Sequence, residues 1–271
     1  MMKILYVGDV MGEPGIRVIE KVLPDLRSSE KIDLVVAQSE NVSNGKGITP
    51  EDFTRLQAAG VDFCTGGNWS LYHDEIIPMM DDPDEPIIRP ANYPAGTPGL
   101  GHKFIETKKG NVLVASLLGH IVGRDSEKPV DNPLHIIDRI LKDAKTTSHV
   151  ATVVNLHGDY SSEKRVIGYY LDGRATAVVG DHWHVPSADA EVLPKGTAHI
   201  TDVGMCGSLD SSLGVRYDVI VKRWQSGEPS RNELETTGRM QFNALFVDAD
   251  EKTGLATKSK LIQKIFDENL L

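Results

Sequence analysis

Cysteine is nearly absent from this sequence: Cys64 and Cys206 are the two it has in 271 residues. Two cysteines make no disulfide framework, and Cys64, in an apolar context, reads as a small buried residue. Positive charge is also short. Lys and Arg number 29 against 39 Asp and Glu, a formal net charge of −10. That balance argues against a protein that grips nucleic-acid polymers through a broad basic surface. A small phosphate substrate stays open, because a bound metal can supply the missing positive charge. No apolar run approaches the length of a membrane span. The opening stretch from Met1 to Val7 is too short for a secretory signal and stops at Gly8-Asp9. These absences point to the cytoplasm.

What is present is ordinary for a globular protein: 40% hydrophobic and 25% charged residues. The chain is long enough to bury a substantial core, and with no repeat, low-complexity segment or linker it reads as one domain over 1–271. Apolar runs alternate with helical stretches. Ile4 to Val7 is a buried strand, followed by a helix with Ile16, Ile19, Leu23 and Leu26 on one face, which Pro24 is expected to end or kink. Asp33 to Gln38 is the next strand; Thr49-Pro50-Glu51-Asp52 caps a helix that stops at Gly60, and Val61 to Thr65 is a third strand. Six prolines between Pro78 and Gly101 predict irregular chain wrapped on the surface and packed down by Ile87, Ile88 and Tyr93. Phe104 to Leu118 reads as two strands around Lys109-Gly110-Asn111, and Asn132-Pro133 opens a helix to about Lys145. Val150 to Leu156 and Ala175 to Val179 are buried strands. Further on come Ala198 to Asp202, a strand over Gln241 to Val247, and a turn at Asp250 to Gly254 before a last strand or helix.

Five of these runs end in residues able to bind a metal: Asp9, then Glu40 and Asn41, then Asn68, then His157, then His182 with His184. Sites in α/β sheets lie beyond the carboxyl ends of the strands, so these ends are expected to meet at one pole of one sheet. Each residue has a plainer reading. Asp9 could cap the following helix, Asn41 and Asn68 could hold turns, and His157 could be a satisfied buried histidine. Glu40, directly after a buried strand, has no such excuse. Imidazoles with carboxylate and amide oxygens, and no thiolate, suit Fe, Mn, Zn or Co. Seven ligands are too many for one such ion and suit two, a pairing that serves displacement at phosphorus by hydroxide made from bound water. A dinucleotide-binding reading of Gly8, Gly12 and Gly15 fails on spacing, which is not G-x-G-x-x-G.

At these residues the chain resembles the metallophosphoesterases, and within them the bacterial YmdB-like subfamily of calcineurin-like phosphoesterases. The shared words include Gly8-Asp9-Val10-Met11-Gly12, Glu40-Asn41, Arg89-Pro90-Ala91-Asn92-Tyr93, Ser162-Glu163-Lys164 and Thr201-Asp202-Val203-Gly204-Met205. The resemblance implies an α/β fold, an αββα sandwich of two mixed sheets flanked by helices. It also implies two Fe or Mn ions, with Zn an alternative, and phosphodiesterase activity on small cyclic nucleotides, 2′,3′-cyclic or 3′,5′-cyclic. A homo-oligomer is the expected assembly, with no nucleic-acid polymer and no membrane as partner. One ion would take Asp9, Glu40, Asn41 and His184; the other would take Glu40, Asn68, His157 and His182, with Glu40 as bridge. One departure bears on catalysis: the family's Gly-Asn-His reads Gly67-Asn68-Trp69 here, and tryptophan does no acid–base work. His73, four residues on, could reach back. A metal-binding regulatory or scaffolding protein with little turnover is the competing reading. Asp181 and Trp183 stand where the family usually has threonines and are expected to reshape the walls of the site.

Overall fold

A computed structural model describes residues 1–122 and 129–267. Its elements run β1 (Met2–Val7), β2 (Asp9–Val10), α1 (Gly12–Glu30), β3 (Leu34–Gln38), α2 (Pro50–Ala58) and β4 (Phe63–Thr65). Next come α3 (Ile77–Asp81), β5 (His102–Thr107), β6 (Gly110–Leu118), α4 (Pro133–Asp143), β7 (Ala151–His157), α5 (Ser161–Tyr170) and β8 (Ala177–Asp181). The last are β9 (Glu191–Val192), β10 (Ala198–Ile200), β11 (Met205–Ser208), α6 (Tyr217–Ser226), β12 (Met240–Ala249) and β13 (Ala256–Phe266).

Period-two alternation in the strands builds four layers. Ile4 and Tyr6 of β1 turn to one face and Leu5 and Val7 to the other, yet all four are buried. A strand buried on both faces lies in a middle layer. Leu5 and Val7, with Val35 and Ala37 of β3, pack under Ile16, Ile19 and Leu23 of α1 and Phe53 and Leu56 of α2. Ile4, Tyr6, Leu34 and Val36 instead meet Val112, Val114, Val153 and Val179 from a second sheet. That sheet's opposite face (Leu113, Leu117, Val154, Leu156) is covered by Ile137 and Ile140 of α4 and Ile167 of α5. The result is the expected helix–sheet–sheet–helix sandwich.

The first sheet runs β2-β11-β12-β1-β3-β4, with β13 on β12; β1, β3 and β4 are parallel and β12 is antiparallel to β1. The second runs β5-β6-β7-β8-β10-β9, with β6, β7, β8 and β10 parallel. Parallel pairing sets the ends of β3 and β4 side by side, and those of β7 and β8 likewise, with His157 opposite Asp181.

Several expectations need correction. Pro24 does not end α1, which runs through it to Glu30. Pro24 and the Glu20 it relieves of a partner are both exposed, so the freed carbonyl is open to solvent while the buried stripe holds the helix. Asp9 does not cap α1; the N-cap is Met11, and Asp9 pairs in β2 with β11. The strand ends do not belong to one sheet. Asp9, Glu40, Asn41 and Asn68 come from the first and His157, His182 and His184 from the second. The proline-rich segment is irregular beyond α3, as expected, and pinned: the Arg89 guanidinium donates to the carbonyls of Pro90, Thr97 and Pro98. Among the described residues no helix is long and apolar enough to cross a membrane.

Candidate metal centre

The two sheets present their strand ends to each other at one pole, where all seven expected residues meet. His157 ends β7 and is wholly buried, its Nε2 lying 2.9 Å from Glu40 Oε1 and 3.0 Å from Asn68 Oδ1. His182 follows, with its ring 4.4 Å from that of His157 and its Nδ1 3.9 Å from Glu40 Oε1. Its backbone N–H donates to Asp9 Oδ2 at 3.3 Å. Across Asp9, the Nε2 of His184 lies 3.9 Å from Asp9 Oδ1 and 3.1 Å from Asn41 Oδ1. Asn41 also holds a turn, its amide donating to the Gly45 carbonyl, which is the plainer reading of that residue.

The hydrogen-bond directions at this pole do not close. His184 Nδ1 faces the carbonyl of Leu213 at 3.0 Å and must donate to it. Burial holds the His184 pKa down to about 4, so its Nε2 carries a lone pair at neutral pH. That lone pair faces Asn41 Oδ1, whose own amide nitrogen is spent on Gly45. Among the described residues Asp9 Oδ1 and His182 Nδ1 are buried with no hydrogen-bond partner. Acceptors turned on one another in a buried site are costly unless a cation stands between them. Burial and the nearby Asp181 carboxylate push Asp9 well above the usual range. Glu40 goes the other way: burial opposes its charge, but the His157 and His182 imidazoles hold it well below the usual range. The donors therefore fit metal ions. Gly67 completes the cradle, since a Cβ there would fall 2.2 Å from Glu40 Oε2 and 2.5 Å from the His157 ring.

Strain is concentrated in the His-x-His loop. His182 and His184 take positive φ values of 104° and 63°, just past the end of β8. Each such residue costs about 1–3 kcal/mol and persists where its surroundings fix it. Here the Trp183 N–H donates to Asp202 Oδ2 at 2.9 Å, and its indole N–H donates to the Asp159 carbonyl at 2.9 Å. Asp202 is itself paired with the buried Lys164 at 2.9 Å.

Trp69 is half-buried beside the pole; its backbone N–H donates to Glu40 Oε2 at 3.2 Å, and Lys46 Nζ sits 4.4 Å over its ring. His73 does not reach back: its Nε2 lies 3.0 Å from the Lys46 carbonyl. The expectation for Asp181 is corrected. It lines no wall but is wholly buried, with Oδ1 2.7 Å from His157 Nδ1. Sequence reasoning missed this because its place opposite His157 follows from strand pairing, which the sequence does not mark.

A two-sheet sandwich with this donor pole defines the metallophosphoesterase class. The chain belongs to the YmdB-like protein family, whose family model matches residues 5–262. It is 37% identical over 262 residues to a 2′,3′-cyclic-nucleotide 2′-phosphodiesterase of Bacillus subtilis (strain 168), covering 96% of each chain. A putative phosphatase/phosphodiesterase of Mycoplasma pneumoniae is 29% identical, over 98% of this chain and 94% of that one. Among solved structures, a hypothetical protein from Thermus thermophilus superposes with a TM-score of 0.88 at 36% identity, over 97% of this chain and 99% of that one. A novel phosphatase from Mycoplasma pneumoniae gives 0.89 at 28% identity, over 99% and 95%.

Proposed function

We propose that this chain hydrolyses a small cyclic phosphodiester of the 2′,3′-cyclic nucleotide type, with two cations held at the donor pole. That it is a phosphoester hydrolase rests on relatives named as phosphodiesterase and phosphatase along nearly its whole length, which favours an enzyme over a scaffold. The observation that carries the cation reading is the facing of His184 Nε2 and Asn41 Oδ1, neither with a proton to give, beside the unpartnered Asp9 Oδ1. One cation would take Asp9, Asn41 and His184 and the other would take Asn68, His157 and His182, with Glu40 serving both. Fe or Mn suits this oxygen and imidazole set, and Zn is compatible. Bound there, the cations would neutralise phosphoryl charge and lower the pKa of a coordinated water. The chain's own share is orientation: Leu213 fixes His184, Asp202 fixes the loop, and Gly67 leaves the room.

With Trp69 after Asn68, no acid stands at that position to protonate the leaving oxygen, so the reading includes slow turnover of alkoxide leaving groups. Action in the cytoplasm, by a homo-oligomer of one-domain subunits, belongs to the same proposal. Purified protein loaded with Mn and assayed on bis-p-nitrophenyl phosphate, 2′,3′-cyclic AMP and 3′,5′-cyclic AMP tests it. Turnover of the first two is the expected outcome. Background rates from protein that elemental analysis shows to hold two cations would sink the enzyme.

A further inference from the structure

Asp181 belongs to neither group of donors, yet it is the most heavily hydrogen-bonded side chain at the pole. We infer that Asp181 is a positioning residue: it holds His157 as an Nε2 donor toward a cation without touching the cation itself. The inference rests on the cation-binding reading above.

An ionised carboxylate offers about four lone-pair positions. Asp181 spends one on His157, through Oδ1 at 2.7 Å. The other oxygen accepts from the Tyr6 hydroxyl at 3.0 Å, the Gln38 amide at 3.0 Å, and the Asn155 amide. Three donors crowd Oδ2 and His157 engages Oδ1, so both oxygens are already in use, although Asp181 lies close enough to Asp9 and His157 to make a plausible ligand trio by distance alone. The three other donors explain why the carboxylate cannot turn away. Tyr6 is braced by Thr65 at 2.8 Å, Gln38 by the Ser39 N–H at 2.9 Å, and Asn155 by Ser116 at 2.8 Å. Tyr6 and Gln38 stand on the first sheet and Asn155 on the second, so both sheets clamp one carboxylate against one imidazole. An acceptor fixed at Nδ1 sends that nitrogen's proton to itself and leaves Nε2 to bind. Nε2 is the atom that faces Glu40 and Asn68.

The test reads binding and tautomer rather than rate. In zinc-loaded wild-type protein, long-range ¹H–¹⁵N spectra should show His157 protonated at Nδ1; a loaded protein with the proton on Nε2 overturns the inference whatever any variant does. Loss of the carboxylate in Asp181→Asn should weaken Mn²⁺ binding by about 10–100-fold in a chelator competition. Thr65→Val is the control, since it disturbs the same network through Tyr6 without touching His157, and it should bind as wild type does. Equal loss in both variants would reduce Asp181 to a structural strut. Wild-type protein that takes up no cation would instead take down the reading underneath. A wild type that binds, with Asp181→Asn binding equally well, refutes the inference alone.

Discussion

Trp69 is the residue on which rate should turn. Its backbone is committed to Glu40 and its ring lies under Lys46, so the position is built into the pole, where the resemblance implies a histidine able to donate. A positioned acid contributes about 10²–10⁴-fold when the leaving group is a poor one. Trp69→His should therefore raise turnover of 2′,3′-cyclic AMP by roughly 10²-fold, toward the low end of that range, and leave bis-p-nitrophenyl phosphate little changed, since p-nitrophenolate departs unaided. Parallel kcat measurements on the two substrates check it; an equal gain on both would mean that the tryptophan obstructs rather than fails to donate. That Asp9, Glu40, Asn68 and His157 would meet at one pole was legible because each closes an apolar run. Asp181 was not, because nothing in its neighbours distinguishes a residue behind the site from one lining it.

At the scale of elements, the strained loop after β8 hangs on α5. Lys164 of α5 and Asp202 form a fully buried pair, and Asp202 receives the N–H of Trp183 between the two histidines. Removing one partner of such a pair leaves a buried charge alone and costs about 3–5 kcal/mol. Lys164→Met should lower the urea midpoint by a corresponding amount, whereas Lys108→Met, on an exposed turn, should not move it. The same helix sets a pH dependence. His199 of β10 packs against Gly168 of α5 and donates from Nδ1 to the Val178 carbonyl, with its buried Nε2 unpartnered. Burial lowers its pKa from the usual 6.5, against the nearby Asp189 and Glu191 carboxylates and with the Arg165 guanidinium. Below 6.5 the unfolded chain takes up a proton that the folded chain refuses, so this contribution to stability is present above that value and is lost as pH falls from it toward the depressed folded value. Urea titrations from about pH 8 to 5 should show a smaller decline in His199→Gln than in wild type. Neither α5 nor α6 was legible in the sequence. α5 buries only Lys164, Ile167 and Gly168, and α6 buries no residue, so neither carries the apolar stripe that betrays a helix.

For the whole molecule, the buried strands were legible as apolar runs and the two-sheet sandwich was implied by the family resemblance, but which sheet each strand joins was not legible. Pairing is a long-range property, and apolar runs of similar length give no sign of which sheet each joins. The division matters because the pole draws its donors from both sheets and is closed only when the sheets are packed. A cation held there binds the folded chain and not the unfolded one, stabilising it by about 2.7 kcal/mol at a hundred times its Kd. Chelation of Mn-loaded protein should lower Tm, and added Mn should restore it; a Tm indifferent to both would contradict the reading of the pole.

The pairing of β1 with β12 has a consequence for how the chain is made. Residues 244–249 lie along one edge of residues 2–7, so the first strand leaves the ribosome without the neighbour that covers that edge. At about 5–20 residues per second, that edge waits roughly 10–50 s. During that time Asp9, Glu40, Asn41 and Asn68 are already synthesised, beside an unpaired strand edge of the kind that invites pairing with other chains. A nascent protein of this architecture completes its donor pole late, and it is most exposed to misassembly just before its last hairpin arrives.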